Sequence, residues 1–511
     1  MHIGRVIGNR VLETRFRMNF DESLQVGEML VVESGPNPER YLVRVMDIEH
    51  GADSDDKNWL VTEAGHMLRM DAEQRECDLG AIKDDLYCIG ISAPLGCVGD
   101  EFRKTKTIPH HFSKVRRTSI EDYEFLKSSL GDIQVGNLRS GDRVLDFPVG
   151  ISGKAIPHHI GIFATTGMGK SNLMKNLALS CMRLRKYGFL ILDPHGEYYD
   201  GGESGKKGLK QAKQDDAFVV FSSRELDGPH NSLHVASSEI QIADLENLYE
   251  FTSVQKEFME NAQYRFKDTW LTDINDKSVK ELHGIMEGKF QEGTINVVKR
   301  RLESLFRFNL VSRDPKLSIT SHVIDCLHDG KVVLVDTSNM YEAEELLIST
   351  VLSRAIFERH KTLYGEKAKF DKVPPVLIAL EEAQRVLTEA KGTIFAQIAR
   401  EGRKFKTGLC AVSQQPKLID SEVISQFNTL FILGLADRKD REILRNSAKQ
   451  DISQLDNEIQ MLMPGEALIA SPFAPFAVPV KIHLYEEYLE KVAGDAPKKA
   501  FKKAPVTATF Y

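Results

Sequence analysis

The stretch that most limits what this chain can become is ATTGMGKS, Ala164 to Ser171, set between the apolar GIF before it and an amphipathic run after it. Strand, loop and helix in that order form a phosphate-binding unit, because successive backbone N–H groups can turn inward around an anion only where side chains are small. Gly167 and Gly169 supply that freedom, and the helix that follows aims its N-terminus at the phosphates. Lys170 can reach the β and γ phosphates and Ser171 can hold magnesium. Ala164 stands where the usual pattern has its first glycine. The ligand predicted is ATP with Mg2+, with Thr166, Gly167, Met168, Gly169, Lys170, Ser171 and Asn172 as its cradle. Switches, kinases, transporters and motors all carry such a loop, so it names a ligand without naming a task.

The rest of the chain narrows the choice. Residues 1–105 read as short strands, HIGRVIG, EMLVVES, RYLVRVMDI and DLYCIGISA, broken by turns such as SGPNPER and GADSDDKN. Such a pattern predicts a small β-barrel. From DRVLDFPVG onward apolar strands alternate with helical stretches, the mark of a parallel α/β sheet. Its expected strands are GIFA, GFLILD, AFVVF, KVVLVD, PVLIAL, GLCAVS and TLFILG. Between residues 239 and 329 the runs IADLENLYEF, VQKEFMENAQYRFKDTW and INVVKRRLESLFRF have helical spacing instead, which predicts a helical insertion. The tail 491–511 is rich in Lys, Ala and Pro and is expected to be a flexible arm.

A hydrolase needs carboxylates opposite the loop. Three apolar strands end in acid, at Asp193, at Asp336 and at Glu381–Glu382. Acid at a strand end also serves solvation alone, but adjacent carboxylates on an extended strand point to different sides. We therefore expect Glu381 to address magnesium and Glu382 to polarise water. Downstream, IAREGRKFKTGLCAVSQQP couples a basic helix end to a strand tipped by Gln414 and Gln415, either of which can sense the γ-phosphate or serve as a surface amide. Arg400 and Arg403 lie three apart on one helix face. They are either solvated or reach an adjacent subunit's nucleotide, where arginine stabilises transition-state charge.

Hydrophobic residues make up 42% of the 511, and the net charge is −7. That balance lacks the basic excess of small nucleic-acid binders, so any DNA contact has to be local. No window approaches the ~18 apolar residues of a membrane helix, and MHIGRVIGNRV has no signal core, so a cytoplasmic protein is expected. The cysteines, six in all, include no CxxC pair, which disfavours a zinc or iron–sulfur site.

Taken together, HIGRVIG, DIQVGNLRSG, FATTGMGKSN, LILDPHGEYY, LIALEEAQRV and IAREGRKFKTGLCAVSQQPKLIDSEVISQFNT resemble the HerA-type hexameric DNA translocases, relatives of the FtsK pumps, over most of the chain. The resemblance implies a HAS-type β-barrel over 1–105 that docks a partner, then a RecA-like core over 106–238 and 330–490 interrupted by the insertion. It implies a homo-hexamer pumping double-stranded DNA irrespective of sequence. It places Lys170 and Ser171 on ATP and magnesium, Asp193 beside Glu381 and Glu382, Arg400 or Arg403 in trans, and Gln414 as sensor. One departure is His158–His159, where the family often has Arg-His before the phosphate-loop strand. The partner implied is a NurA-like nuclease or, in antiviral operons, a sirtuin-like or other effector. The leading expectation is an ATP-driven translocase or helicase in DNA end processing or antiviral defence. The alternative is an ATP-controlled ring scaffold that activates a nuclease or NAD-consuming effector with little translocation.

Overall fold

The computed structural model describes residues 2–494, apart from 36–38, 55, 57, 75–82, 100, 203–204, 215, 307–309 and 389–392. The expected C-terminal arm from residue 495 onward and Cys77 lie outside the described residues.

The N-terminal part is a closed barrel. Its strands are β1 (His2–Arg10), β2 (Glu13–Asn19), β3 (Met29–Ser34), β4 (Glu39–Ala52), β5 (Leu86–Val98) and β6 (Lys114–Arg117), paired in the order β1-β2-β5-β4-β3-β6. Alternation builds it: Thr14, Phe16 and Met18 of β2 face inward while Glu13, Arg15 and Arg17 lie nearer solvent. The Phe16 ring occupies the space a side chain at Gly90 would need, so β5 passes only because that residue is glycine. The four strands read from the sequence are present. β2, with charge at its outward positions, and the four-residue β6, which closes the barrel beyond residue 105, are additions. A helix, α1 (Trp59–Ala72), links β4 to β5 and has no buried residue.

The core is one twelve-stranded sheet. In chain order its first elements are β7 (Ile133–Ser140), β8 (Arg143–Ile151), β9 (Ile160–Phe163), α2 (Lys170–Leu184), β10 (Gly188–Asp193), β11 (Phe218–Ser222) and β12 (Asn231–Ser232). The insertion follows, as β13 (Val235–Ala236), α3 (Ile242–Glu246), α4 (Ser253–Phe266), α5 (Trp270–Asp276), α6 (Val279–Ile285), α7 (Glu292–Phe306) and β14 (Val311–Ser312). After it come α8 (Thr320–His328), β15 (Val332–Asp336), α9 (Glu342–Tyr364), α10 (Lys367–Phe370), β16 (Val376–Leu380), α11 (Ile394–Glu401) and β17 (Thr407–Ser413). The chain ends through α12 (Ser421–Ile424), β18 (Thr429–Ile432), α13 (Arg438–Ser447), α14 (Asp456–Met461), β19 (Glu466–Ala470), β20 (Val478–Ile482) and α15 (Tyr485–Gly494).

The strand order is β12-β11-β15-β10-β16-β17-β9-β18-β19-β20-β7-β8. From β12 to β18 every pairing is parallel, and the strands FLILD, VVLVD and VLIAL are buried throughout because helices cover both faces. From β18 to β8 every pairing is antiparallel. The seven strands expected from the sequence all lie in the parallel part, and the wing of β19, β20, β7 and β8 adds to them.

Within the insertion, Ile295, Val298, Leu302 and Leu305 form the buried stripe of α7. They pack in one core with Phe258 and Trp270. Thr252 and Ser278 cap α4 and α6 through their side-chain oxygens. The paired strands β13 and β14 clamp the ends of the insertion together.

Barrel and core meet at a buried charge cluster. Arg44 of β4 is 1% exposed and donates to the Ala477 carbonyl at 2.5 Å. It stands 3.8 Å from Glu458 of α14, which also accepts a 2.9 Å bond from Arg139 of β7. Burial pushes the Arg44 guanidinium below its ordinary value, and Glu458 opposes that shift.

Candidate nucleotide site

Strand register builds the site before any side chain does. Leu380 of β16 stands opposite Leu192 of β10, so Glu381 and Asp193 leave the sheet side by side. Ser413 of β17 stands opposite Phe163 of β9, so Gln414 leaves beside Ala164 and the phosphate loop. All four strands run parallel, and their carboxyl ends open into one cleft of about 1160 Å³. Clefts at this edge are where open α/β sheets bind ligands.

In the loop, Gly167 and Gly169 take φ of +82° and +103°, backbone that other residues rarely adopt. Lys170 folds back onto the carbonyls of Ala164 (3.1 Å) and Thr165 (3.4 Å). Burial lowers its pKa, against the pull of Glu381, Glu382 and Glu197. Ser171 donates to Glu197 at 2.8 Å. Of the loop residues singled out from sequence, Thr166, Gly167, Gly169, Lys170, Ser171 and Asn172 line the cleft. Met168 does not: its side chain fills the space beside Gly434, and its carbonyl accepts from Gly465.

The acids divide as follows. Asp193 is buried and accepts backbone N–H groups from His195 (3.1 Å), Gly196 (2.8 Å) and Tyr198 (3.0 Å). Burial nevertheless pushes it up to about 6. Glu381 accepts the Tyr198 hydroxyl. Burial raises Glu381 to about 8, and the charges of Asp193 and Glu197 add to the rise. Glu382 has φ of +48°, so the pair diverges through a left-handed turn after β16 and not through strand alternation. A non-glycine residue there stores strain of the kind that clusters at working sites. Glu382 accepts from Gln384 and, at 3.0 Å, from Gln414. Gln414 in turn accepts the Thr166 hydroxyl, closing a chain from phosphate loop to acid. Asp336 is held apart by Arg224 at 2.7 Å, and Gln415 is exposed.

Arg400 and Arg403 are not brought to the cleft. Both are exposed and precede the start of β17, a strand length of about 20 Å from Gln414. His158 and His159 lie at that same far end. His159 is buried, accepts the Leu409 N–H at 2.9 Å, and is held to about 4 by burial. Sequence reading had not singled out Glu197, Tyr198 or Gln384 individually, although DPHGEYY and EEAQ contain them. It also passed over Leu484, Tyr485 and Glu486, which form the cleft's other end.

Comparison with known proteins agrees with this geometry. Residues 133–356 match the family described as helicase HerA, central domain. A probable helicase of Methanocaldococcus jannaschii is 26% identical over 384 residues, 71% of this chain and 70% of its own length. Proteins named DNA double-strand break repair helicase HerA are similar as well. The one from Sulfurisphaera tokodaii is 27% identical, and the one from Saccharolobus solfataricus is 26% identical; each match covers 74% of both chains. With the phosphate loop, the acids and Gln414 converging on one cleft, the chain is similar to the HerA-type P-loop ATPases in its central domain and over most of its length.

Proposed function

We propose that this ATPase is a motor that moves along double-stranded DNA as a homo-hexamer, with its barrel docking a nuclease or other effector in DNA end processing or antiviral defence. The observation that carries the reading is the Thr166–Gln414–Glu382 chain. A γ-phosphate entering beside Lys170 has to displace or reorganise that contact, so nucleotide state is transmitted to the tip of β17. In this reading the loop N–H groups and Lys170 hold the phosphates, and Glu382 takes the proton of the attacking water. Gln414 senses the γ-phosphate. Asp193 orders the 195–198 turn that presents Glu197 and Tyr198.

The residues fit magnesium. Burial, with the charges of Asp193 and Glu197 adding to it, favours the protonated form of Glu381, and a divalent cation held by Ser171 and Glu381 would favour its carboxylate instead. Among the described residues no group of three or more His, Cys, Asp or Glu side chains is placed to hold a metal alone. That suits magnesium, which retains water and substrate phosphates as ligands. When bound, it supplies charge neutralisation at the phosphate oxygens.

The names of the curated relatives support DNA as the track. With a net charge of −7, the contacts have to be concentrated on a few basic groups that read phosphates and not bases. The exposed Arg400 and Arg403, remote from their own cleft, suit action on a neighbour's nucleotide. Among the described residues no helix is long and apolar enough to cross a membrane.

A scaffold reading draws on one specific observation. On α1, Leu60, Val61 and Leu68 share a face and are 46%, 74% and 70% exposed, an apolar stripe suited to a partner. Phosphate release measured with long duplexes of unrelated sequence separates the two. Stimulation that weakens as salt rises is expected of the motor. Rates that respond to the partner and ignore DNA favour the scaffold.

A further inference from the structure

The cleft has two ends. At one, Glu382 and Gln414 reach the start of the phosphate loop through Thr166; at the other, the chain between β20 and α15 is tied to α2 beyond Ser171 and presents Leu484, 52% exposed and the one aliphatic side chain among the lining residues. An exposed aliphatic side chain at the mouth of a polar cleft is useful where a flat apolar body comes to rest on it.

Leu484 is also held in register with the phosphate cradle. Asn172, the residue after Ser171, donates from Nδ2 to the His483 carbonyl at 2.8 Å and accepts the Tyr485 N–H at Oδ1, also at 2.8 Å. Asn176, one helical turn on, donates to the same His483 carbonyl at 2.7 Å. The His483 ring stacks on Tyr488 with centroids 4.7 Å apart. The Tyr485 hydroxyl donates to the Gly208 carbonyl at 3.1 Å. Leu484 is therefore flanked by pinned residues on both sides, while its own side chain is left without comparable cover. The acid end of the cleft takes the γ-phosphate, so a nucleoside triphosphate seated on Lys170 and Ser171 extends its base toward the opposite end.

We propose that Leu484 is the platform for the nucleobase, and that the Asn172 side chain positions it by tying the 483–485 segment to α2. The inference rests on the nucleotide site proposed above. An aliphatic platform contacts the face of a purine and leaves its edges unread, so adenine and guanine nucleotides should use it alike.

The test compares ligands with and without a base. Binding of ATP, GTP and inorganic tripolyphosphate, each with magnesium, is measured by calorimetry for the full chain, for Leu484→Ala, for Leu484→Met and for Lys170→Ala. Leu484→Ala should weaken ATP and GTP roughly five- to tenfold, the loss expected for about 50 Å² of apolar contact. Tripolyphosphate should be unaffected, and Leu484→Met should restore ATP binding. Unchanged ATP affinity in Leu484→Ala, or an equal loss for tripolyphosphate, overturns the platform. Lys170→Ala should weaken all three ligands. If it weakens none, the phosphate site itself is misplaced, a failure distinct from that of Leu484.

Discussion

At the scale of single residues, the charge state of Glu381 is the feature with the most direct consequence. Its carboxyl is raised to about 8 by burial and by the acids around it. An ordinary glutamate titrates near 4.3 in the unfolded chain, so between these two values the folded state holds a proton that the unfolded state has lost. Stability therefore falls as pH rises through that window. Glu381→Gln removes the titrating group, and denaturant midpoints measured without nucleotide should fall less steeply from pH 5 to 8 than in the parent chain. An unchanged slope would contradict the placement of Glu381. The same proton should be released when magnesium nucleotide binds near pH 7, visible as a binding enthalpy that depends on the ionisation heat of the buffer.

At the scale of elements, the exposed arginines that precede β17, Arg400 in α11 and Arg403 in the turn after it, bear on whether the site is shared between subunits. Arg403→Ala should leave ATP binding within about twofold and reduce hydrolysis by roughly 10³-fold or more if it supplies transition-state charge in trans. Mixed with Glu382→Gln subunits, it should regain part of the activity, because some interfaces then combine an intact acid with an intact arginine. No recovery in demonstrated mixed assemblies would place its role in cis or in structure. The elements that build the site were legible because a buried parallel strand announces itself: FLILD, VVLVD, VLIAL and GLCAVS are continuous apolar runs ending in polar tips. The antiparallel wing was hidden by length and composition. β19 and β20 have five residues each, and β7, read as IQVGNLRS, mixes polar and apolar positions. In the site, Gln414 was readable from its strand. The partition of Glu381 from Glu382 depends on a left-handed turn that no spacing rule foretells. Leu484 was invisible because nothing local ties it to a loop more than 300 residues earlier; that link is one hydrogen bond that Asn172 donates to the His483 carbonyl and one that it accepts from the Tyr485 N–H.

At the scale of the whole molecule, the barrel is joined to the ATPase core through Arg44, Glu458 and Arg139, a cluster almost wholly removed from water. Removing the acid leaves two buried guanidinium groups without their carboxylate, a change that typically costs 3–5 kcal/mol. Glu458→Ala should therefore lower the unfolding free energy by about that amount, and loss of the barrel–core junction should appear first as protease sensitivity between β6 and β7. A surface-like loss below about 0.5 kcal/mol would mean that the cluster is solvated in solution. Through α14 and the Gly465 N–H donated to the Met168 carbonyl, the chain that carries Glu458 also contacts the phosphate loop. In the motor reading, hydrolysis in the cleft drives movement along DNA. The most direct measurement is ATP-dependent displacement of a third strand paired to a long duplex. The intact protein should displace it whatever the flanking sequence, whereas Glu382→Gln should bind ATP and DNA yet lose displacement together with a roughly 10²- to 10⁴-fold loss of hydrolysis. Brisk hydrolysis on the duplex with the third strand left in place would contradict a motor that moves along DNA.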